Sequence, residues 1–284
     1  MKDRLLLYLF YLLPKHALSR TAGRLARSPL SRFAIPLFIR RFRIDTEEAE
    51  KPWREYPNLL EFFIRKLKPG ARPVDPSPNT GISPVDGVIS QLGDITENTL
   101  IQTKGVTYRL VDLLGGDSEQ AARYEGGKFV TIYLSPRDYH RIHAPADGEV
   151  THVSYIPGHL FPVNDFGVRT IPGLFVRNER LITYLRTALG VIAVVKVGAT
   201  NVGSIRLNFD PKVFTHSAER RGVRKVYETP PRLAKGQEMG RFEFGSTVIL
   251  LFEPGRVEWT SDWKPGTILK MGQPIVRRVG SANH

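Results

Sequence analysis

The sequence has no cysteine, and its N-terminal apolar run is too short to cross a membrane. Without cysteine the protein forms no disulfide, has no thiolate metal site and uses no cysteine nucleophile, which is compatible with a reducing compartment. The apolar run covers residues 5–13 and ends at Pro14, whereas a bilayer core needs about 20 residues. Neither HExxH nor GxSxG occurs, so a zincin and a standard α/β-hydrolase are not indicated.

The basic residues are concentrated at the N-terminus. Ten of the 41 Lys and Arg residues but one of the 28 acidic residues lie in residues 1–43, which therefore carry a net charge of +9 out of a total of +13. Within this segment a second apolar stretch, residues 33–39, directly precedes Arg40 and Arg41. Between the two stretches, four small or aliphatic residues repeat at helical spacing: Leu18, Ala22, Leu25 and Ala26. The pattern predicts amphipathic helices that lie on an anionic membrane surface.

Three other interpretations of residues 1–43 stay open. A cleaved signal peptide fits Lys2 and Arg4 ahead of the apolar run, but no convincing small-x-small cleavage site follows and arginines continue downstream. A nucleic-acid arm fits the charge, but the basic residues alternate with large aliphatic residues instead of forming a solvated run. The segment could also be an ordinary helix pair packed on the core. Membrane attachment is favoured, and we expect no nucleic acid as a partner.

Beyond residue 43 the pattern changes from helical to β. A short helix is predicted at 59–67, and further helices are expected around 108–114 and 177–187. Short runs rich in Val, Ile, Tyr and Phe, separated by Gly, Pro and Asp, predict strands at 88–91, 129–134, 149–155, 191–197, 205–209 and 247–252. The predicted fold class is α+β: N-terminal amphipathic helices in residues 1–43, then a mainly antiparallel β core in a second domain of residues 44–284.

The segment Phe244-Gly245-Ser246-Thr247 is the most informative stretch of the chain. Ser246 follows a glycine and precedes the apolar run 248–252, which predicts a nucleophile at the start of a buried strand. Gly245 has no Cβ to block an attack on its carbonyl. Such an attack would convert the amide to an ester, and loss of the Ser246 Cα proton would then release the upstream chain and lead to a pyruvoyl group. Most Gly-Ser pairs are turns, so other residues must support this hypothesis.

Three residues could support it. Asp86 lies in an Asp-Gly turn ahead of a predicted strand, where its carboxylate could simply cap the local backbone. His140 and His143 follow the strand predicted at 129–134 and form a His-x-x-His pair, which suggests zinc but lacks a third ligand at matching spacing. They could equally be two structural histidines. A serine nucleophile needs a base and an acid that orients the base, and Asp86, His143 and Ser246 would form such a set.

The sequence resembles the phosphatidylserine decarboxylase family in segments that follow the family's order over roughly residues 59–275. The family's processing motif, Leu-Gly-Ser-Thr, reads Phe244-Gly245-Ser246-Thr247 here and keeps an apolar residue before the glycine. The aspartate motif corresponds to residues 83–87 and the histidine motif to residues 134–143. The other similar segments are residues 62–73, 160–164 and 197–205.

The resemblance implies that the chain is a proenzyme. Asp86 would orient His143, and His143 would deprotonate Ser246 for cleavage between Gly245 and Ser246. The products would be a β chain of residues 1–245 and an α chain of residues 246–284 that stay together without a covalent bond. The α chain would begin with a pyruvoyl group derived from Ser246.

The resemblance also implies the reaction. The pyruvoyl ketone would form a Schiff base with the amine of phosphatidylserine and accept the electrons released with CO2, which leaves phosphatidylethanolamine. His140 would assist decarboxylation or protonation with a ring that could change charge at working pH. Phe161 and Asn164 would shape the substrate pocket, and no metal is expected.

A lipid substrate would explain the basic N-terminus, since an enzyme on the membrane surface reaches the headgroup without extracting the lipid. We therefore expect a peripheral protein on the cytoplasmic face of the cell membrane. The resemblance also leads us to expect a homodimer, or a higher assembly, of the α/β units. Two hypotheses from other classes remain: a catalytically silent lipid- or carrier-type β domain, and a metal-dependent hydrolase that uses His140 and His143.

Overall fold

The computed structural model describes residues 15–103, 105–200, 204–215, 222–243 and 246–281. The apolar run at 5–13 and the pair Phe244-Gly245 lie outside these residues. Helices dominate the N-terminal part: α1 (Lys15–Arg27), a 3-10 helix (Pro29–Ala34), α2 (Ile35–Phe42), a second 3-10 helix (Trp53–Glu55) and α3 (Leu59–Phe63). Four short helices lie among the strands: α4 (Leu110–Leu113), α5 (Ser118–Tyr124), α6 (Asp165–Thr170) and α7 (Leu174–Arg177).

The rest of the described chain is mainly β. Its strands are β1 (Thr80–Ile82), β2 (Gly87–Asp94), β3 (Thr99–Thr103), β4 (Val106–Arg109), β5 (Lys128–Leu134), β6 (Arg141–His143), β7 (Gly148–Ile156), β8 (Arg180–Thr187), β9 (Gly190–Gly198), β10 (Ile205–Leu207), β11 (Val223–Val226), β12 (Arg232–Leu233), β13 (Glu238–Phe242), β14 (Ser246–Phe252), β15 (Val257–Trp259), β16 (Ile268–Leu269) and β17 (Pro274–Arg278). All their pairings are antiparallel, and the α+β prediction is confirmed.

A nine-stranded sheet forms the centre of the fold. Its strand order is β11-β7-β8-β9-β14-β5-β2-β16, and β12 pairs with β7 beside β11. One face packs on a core that includes Val248 and Leu250, and the other face packs on a second core that includes Ile249 and Leu251. β14 lies between β9 and β5 and is buried along its whole length, which explains why its sequence is continuously apolar instead of alternating.

A smaller three-stranded sheet, β10-β13-β6, pairs the strand that precedes Ser246 in the sequence with the strand of the histidine motif. Its central strand, β13, ends at Phe242, four residues before β14 begins. β6 carries His143 and follows directly after His140. The chain therefore passes from a sheet that contains the histidine motif into the centre of the main sheet.

The N-terminal helices pack on α3 and also expose apolar side chains. Ala26 of α1 lies in a cluster with residues of α3, and Ile35 of α2 lies in a second cluster with Phe62. Asn58 caps α3 by accepting a hydrogen bond from the Glu61 N–H at 2.9 Å. No helix in the described part of the chain is long and apolar enough to cross a bilayer.

One predicted helix is wrong. Residues 177–187 were expected to be helical, but α7 ends at Arg177 and residues 180–187 form β8 between β7 and β9. The apolar side chains of β8 alternate between the two faces of the sheet, as in a buried strand. Leu181 and Leu185 face one core, and Ile182 and Tyr184 face the other. The predicted helix at 59–67 is also shorter than expected, because it ends at Phe63.

Candidate active site around Ser246

Ser246 is the first residue of β14. In the strand register it lies opposite Leu134 of β5 and Gly198 of β9. The residue is fully buried, and its Oγ has no hydrogen-bond partner among the residues that the structure describes. Burying a hydroxyl without a partner costs about 1–3 kcal/mol, so an unpaired serine in this position needs an explanation other than stability.

The chain is hydrogen-bonded to neighbouring segments just before the predicted cleavage site. The Phe242 N–H donates to the His140 carbonyl at 3.0 Å, and the Glu243 N–H donates to the Ser204 carbonyl at 2.8 Å. Phe244 and Gly245 themselves lie outside the described residues, so the geometry of the predicted scissile bond is not part of the structure. The described backbone on both sides of that bond is paired with neighbouring segments, through Phe242 and Glu243 upstream and β14 downstream.

Glu243 is a buried carboxylate that no sequence motif marked. It forms an ion pair with Arg27 of α1, accepts a hydrogen bond from the Ser204 hydroxyl at 2.8 Å, and lies 3.0 Å from the Arg206 Nε. These contacts join the N-terminal helix to the segment immediately before Phe244. The only sequence signal is an acidic residue between two phenylalanines in Phe242-Glu243-Phe244.

His140 is buried beside the end of β13. Its Nδ1 lies 2.8 Å from the Asp138 carbonyl, to which it donates, and its Nε2 has no hydrogen-bond partner in the described chain. The ring packs on Phe63 of α3 with centroids 4.1 Å apart. Burial lowers the pKa of His140 to about 3, so the ring is neutral at working pH. This differs from the expectation that the ring changes charge there, and the physical reason is desolvation.

His143 lies on β6, which pairs with β13, at a position farther from Ser246 than the end of β13. Its Cα partner on β13 is Glu238, four residues before Phe242, a separation of roughly 13 Å along a strand. Its Nδ1 is 2.7 Å from the Gly236 carbonyl, and its Nε2 is 3.0 Å from the Tyr139 hydroxyl. Nδ1 therefore carries the proton and Nε2 is the acceptor. Burial lowers the pKa of His143, while Glu238 and Asp86 oppose that shift.

Asp86 is close to the histidine motif, but its carboxylate does not bond to His143. The backbone of the aspartate motif reaches His143, because the Pro84 carbonyl accepts the His143 N–H at 2.9 Å. The Asp86 carboxylate instead accepts from the Arg72 guanidinium at 2.6–3.0 Å and from the Met271 N–H at 2.8 Å. The expected direct orientation of His143 by Asp86 is thus absent from these contacts, and the influence of Asp86 on His143 is electrostatic.

Phe161 and Asn164 both have structural contacts. Phe161 is fully buried in the second core, and its backbone N–H and carbonyl are each 2.9 Å from the Asn178 side chain. Asn164 caps α6 by accepting from the Gly167 N–H at 3.2 Å. Their neighbours Val163 and Asp165 line a pocket of about 420 Å³. A role for Phe161 and Asn164 in substrate binding stays a prediction.

Lys196 is a second buried charged group that no sequence motif marked. It lies on β9 directly opposite Val248 of β14, so its side chain lies on the same face of the sheet as that of Ser246. Such diagonal neighbours on paired antiparallel strands are about 7–8 Å apart between Cα atoms. Its Nζ donates to the Thr183 hydroxyl at 2.7 Å, and burial lowers its pKa to about 7. A single lysine inside the apolar run 191–197 is the signal that could have identified it.

The residues predicted for the site are thus a buried serine, two buried histidines and a carboxylate held by an arginine, and no described hydrogen bond joins Ser246 to either histidine. Within the described ranges, no group of three or more His, Asp or Glu side chains has the arrangement of metal ligands. Ser246 can supply a nucleophile and the Nε2 of His140 a proton acceptor, whereas the Nε2 of His143 accepts from the Tyr139 hydroxyl.

Comparison with known proteins agrees with the sequence motifs. A family model described as phosphatidylserine decarboxylase matches residues 59–277, and a second one, described as PSD, matches residues 5–43. The chain is 50% identical to the phosphatidylserine decarboxylase proenzyme of Brevibacillus brevis over 98% of this chain and 99% of the relative. Proteins of the same name from Anaeromyxobacter sp. (strain K) and Myxococcus xanthus are 47% and 46% identical, each over 97% of this chain and 99% of the relative.

Proposed function

The chain belongs to the phosphatidylserine decarboxylase family, and on that premise we propose that it cleaves itself before Ser246 and then converts phosphatidylserine to phosphatidylethanolamine and CO2. One observation carries this proposal. Ser246 begins the most buried strand of the main sheet, and its hydroxyl has no hydrogen-bond partner among the described residues. A reactive hydroxyl that later disappears does not need a permanent partner.

The proposed cleavage requires no reactant other than the chain itself and one water molecule. The Ser246 Oγ attacks the Gly245 carbonyl carbon, so that a C–O bond forms, the C–N bond breaks and the nitrogen becomes a free amine. Removal of the Cα proton of residue 246 breaks its Cβ–O bond and releases Gly245 as a carboxylate. Water then replaces the nitrogen, which leaves as ammonia, and residue 246 becomes a pyruvoyl group. Its ketone would supply the electrophile and the electron sink for decarboxylation.

The histidines would move the protons. We assign His143 as the base for self-cleavage, with Asp86 as its electrostatic support, because the family resemblance pairs these residues with Ser246. Tyr139 donates to the Nε2 of His143, so that nitrogen is free to act as a base only when this bond opens. We assign His140 to decarboxylation or protonation on the family resemblance. Its Nε2, which has no partner in the described chain, would have to take up a proton before it could donate one.

Three strands would keep the small fragment in place after cleavage. In residues 246–284, β14 lies between β5 and β9, β16 pairs with β2, and β17 pairs with β1. The five apolar side chains of residues 248–252 are all buried. At about 1.5–3 kcal/mol for each, they would contribute roughly 7–15 kcal/mol toward retention, an upper bound because the free fragment also buries some surface. No covalent bond is then needed.

The N-terminal helices offer a surface for the lipid membrane. Four large apolar side chains of α1, the 3-10 helix and α2 are exposed by 64–75%: Leu25, Leu30, Phe33 and Leu37. Arginines flank them, which suits an anionic leaflet. We therefore propose peripheral attachment to the cytoplasmic face of the cell membrane through residues 1–43.

Replacing Leu30, Phe33 and Leu37 together with glutamine should weaken binding to anionic vesicles by about tenfold or more, because each apolar side chain contributes on the order of 1 kcal/mol when it leaves water. Vesicle cosedimentation measures this. The matched control is Val223→Gln with Val226→Gln on β11, since these residues are also exposed but lie outside the N-terminal segment. Undiminished binding of the triple variant would refute this attachment surface. Deleting residues 1–43 is a less specific test, because it also removes the buried Ile35.

The activity itself is tested with vesicles that contain phosphatidylserine. The purified protein should release CO2 and form phosphatidylethanolamine, hydroxylamine should abolish turnover by reacting with the ketone, and a chelator should have no effect. Activity that is lost with chelator but survives hydroxylamine would instead support the metal-dependent hydrolase. An uncleaved protein without turnover would support the silent β domain.

A further inference from the structure

A polar pocket of about 270 Å³ lies beside the predicted catalytic residues and is not explained by the cleavage chemistry. Five basic residues line it: Arg43, Arg65, Arg72, Arg137 and Lys270. The pocket also reaches Asp138 and Tyr139, which hydrogen-bond to His140 and His143, respectively. It therefore lies one contact away from both histidines.

The acidic residues of the pocket are already paired. Glu48 and Asp86 both bind Arg72, at 2.7–2.9 Å and 2.6–3.0 Å. Asp138 accepts the N–H and the hydroxyl of Ser135, each at 2.7 Å. The exposed Asp45 accepts the Glu47 N–H at 2.9 Å. Among the described residues, these contacts leave the other basic groups without a close carboxylate partner, apart from Lys270 at 3.5 Å from Asp86 and Arg137 at 3.8 Å from Asp138.

Arg65 is the least satisfied of these cations. Its Nη2 donates to the Arg137 carbonyl at 2.9 Å, whereas its Nε and Nη1 are buried and have no hydrogen-bond partner in the part of the chain that the structure describes. Only 4% of the residue is exposed. Burial lowers the pKa of Arg65, as expected for a guanidinium with too few acceptors. A buried cation with two open donors is destabilising unless a ligand supplies the acceptors.

We propose that this pocket binds a phosphate oxyanion, that of the lipid headgroup, with Arg65 as its principal ligand. The proposal rests on the proposed function for the identity of the lipid, but the pocket and its five basic residues do not depend on it. Because the Arg65 Nη2 uses only one of its two N–H groups, the other one shares an edge of the planar guanidinium with either Nε or Nη1. Such an edge matches a phosphate in a two-point contact.

The phosphate fits this pocket better than the carboxylate of the serine headgroup does. A carboxylate that leaves as CO2 loses its negative charge, so a salt bridge to arginine would stabilise the ground state more than the transition state and would slow the reaction. The phosphate keeps its charge throughout, and binding it contributes affinity and position. Arg43 immediately follows α2, which exposes Leu37, so the pocket lies near the proposed membrane surface.

Phosphate binding is best measured on the uncleaved Ser246→Ala protein, because this readout needs neither processing nor turnover. Glycerophosphoserine and inorganic phosphate should each raise its thermal unfolding midpoint, and titration gives the Kd. Adding Arg65→Gln should weaken both Kd values by about tenfold or more, through loss of charged hydrogen bonds. Arg65→Lys keeps the charge without the two-point contact and should weaken binding less, with the fold intact.

The matched control is Arg123→Gln, because Arg123 of α5 pairs with Glu253 at 3.1 Å instead of lining this pocket and should leave both Kd values unchanged. Tighter binding of glycerophosphoserine than of phosphate supports the headgroup assignment, whereas binding of phosphate alone overturns it. Equal binding in the Arg65→Gln and unsubstituted Ser246→Ala proteins overturns the site itself. A failure of the proposed function would appear separately, as a wild-type protein that neither cleaves nor releases CO2.

Discussion

Replacing Ser246 with alanine is expected to leave the protein as a single chain of 32.0 kDa without decarboxylase activity. Alanine has no hydroxyl to attack the Gly245 carbonyl, so neither the ester nor the ketone can form. The change removes one buried oxygen without a hydrogen-bond partner among the described residues, so the fold should keep its stability. Denaturing electrophoresis reports the chain size, and CO2 release from phosphatidylserine vesicles reports activity.

Thr247→Val is the matched control for this experiment. Thr247 is also buried, and its hydroxyl also lacks a partner in the described chain, but alternation along β14 places it on the opposite face of the sheet. The control should still cleave. Cleavage of the Ser246→Ala protein between residues 245 and 246 would mean that Ser246 is not the nucleophile.

His143→Ala is expected to slow self-cleavage by about 10²–10⁴-fold, the usual contribution of a positioned general base. The rate at which the fragment of residues 246–284 appears after synthesis measures this effect. His152→Ala is a suitable control, since His152 is also buried but lies on β7 and stacks on Tyr184 at 3.9 Å. Cleavage of the His143→Ala protein at the wild-type rate would remove His143 from the role of base.

His140→Ala is expected to cleave normally and then to lose turnover by about 10²–10⁴-fold. Substrate binding measured with glycerophosphoserine should change little, because the variant loses a proton acceptor and keeps the basic pocket. The opposite pattern, with His140→Ala uncleaved and His143→Ala cleaved, would exchange the two roles. The register gives that outcome a physical basis, since the His140 carbonyl bonds to the Phe242 N–H while His143 lies opposite Glu238.

Strands were predictable from sequence wherever a short run of apolar residues lay between turn residues. β5 and β14 are clear cases, because each is buried and bounded by Gly, Pro or polar residues. β8 could not be predicted as a strand in this way, because Leu181, Ile182 and Leu185 also fit a helical repeat over a short stretch. Its neighbours β7 and β9 decide between the two structures, and the pairing partners of a strand are not encoded within its own residues.

The candidate site was only partly predictable. Motifs marked Asp86, His140, His143 and Ser246, but the partner of Asp86 is Arg72, fourteen residues earlier in the chain, and no spacing rule indicates that pair. Glu243, Lys196 and Arg65 were missed because their importance arises from burial, which tertiary packing creates. A charged residue inside an apolar segment is the general signal that such residues leave in a sequence.

The intact mass of the purified wild-type protein tests self-processing at Ser246 most directly. We expect two species instead of one of 32.0 kDa: residues 1–245 with an ordinary carboxyl end, and residues 246–284 lighter than the serine-initiated peptide by the mass of one ammonia. That difference corresponds to conversion of the N-terminal serine to a pyruvoyl group. A single full-length species, or a small fragment that keeps its serine, would contradict the proposed origin of the catalytic ketone.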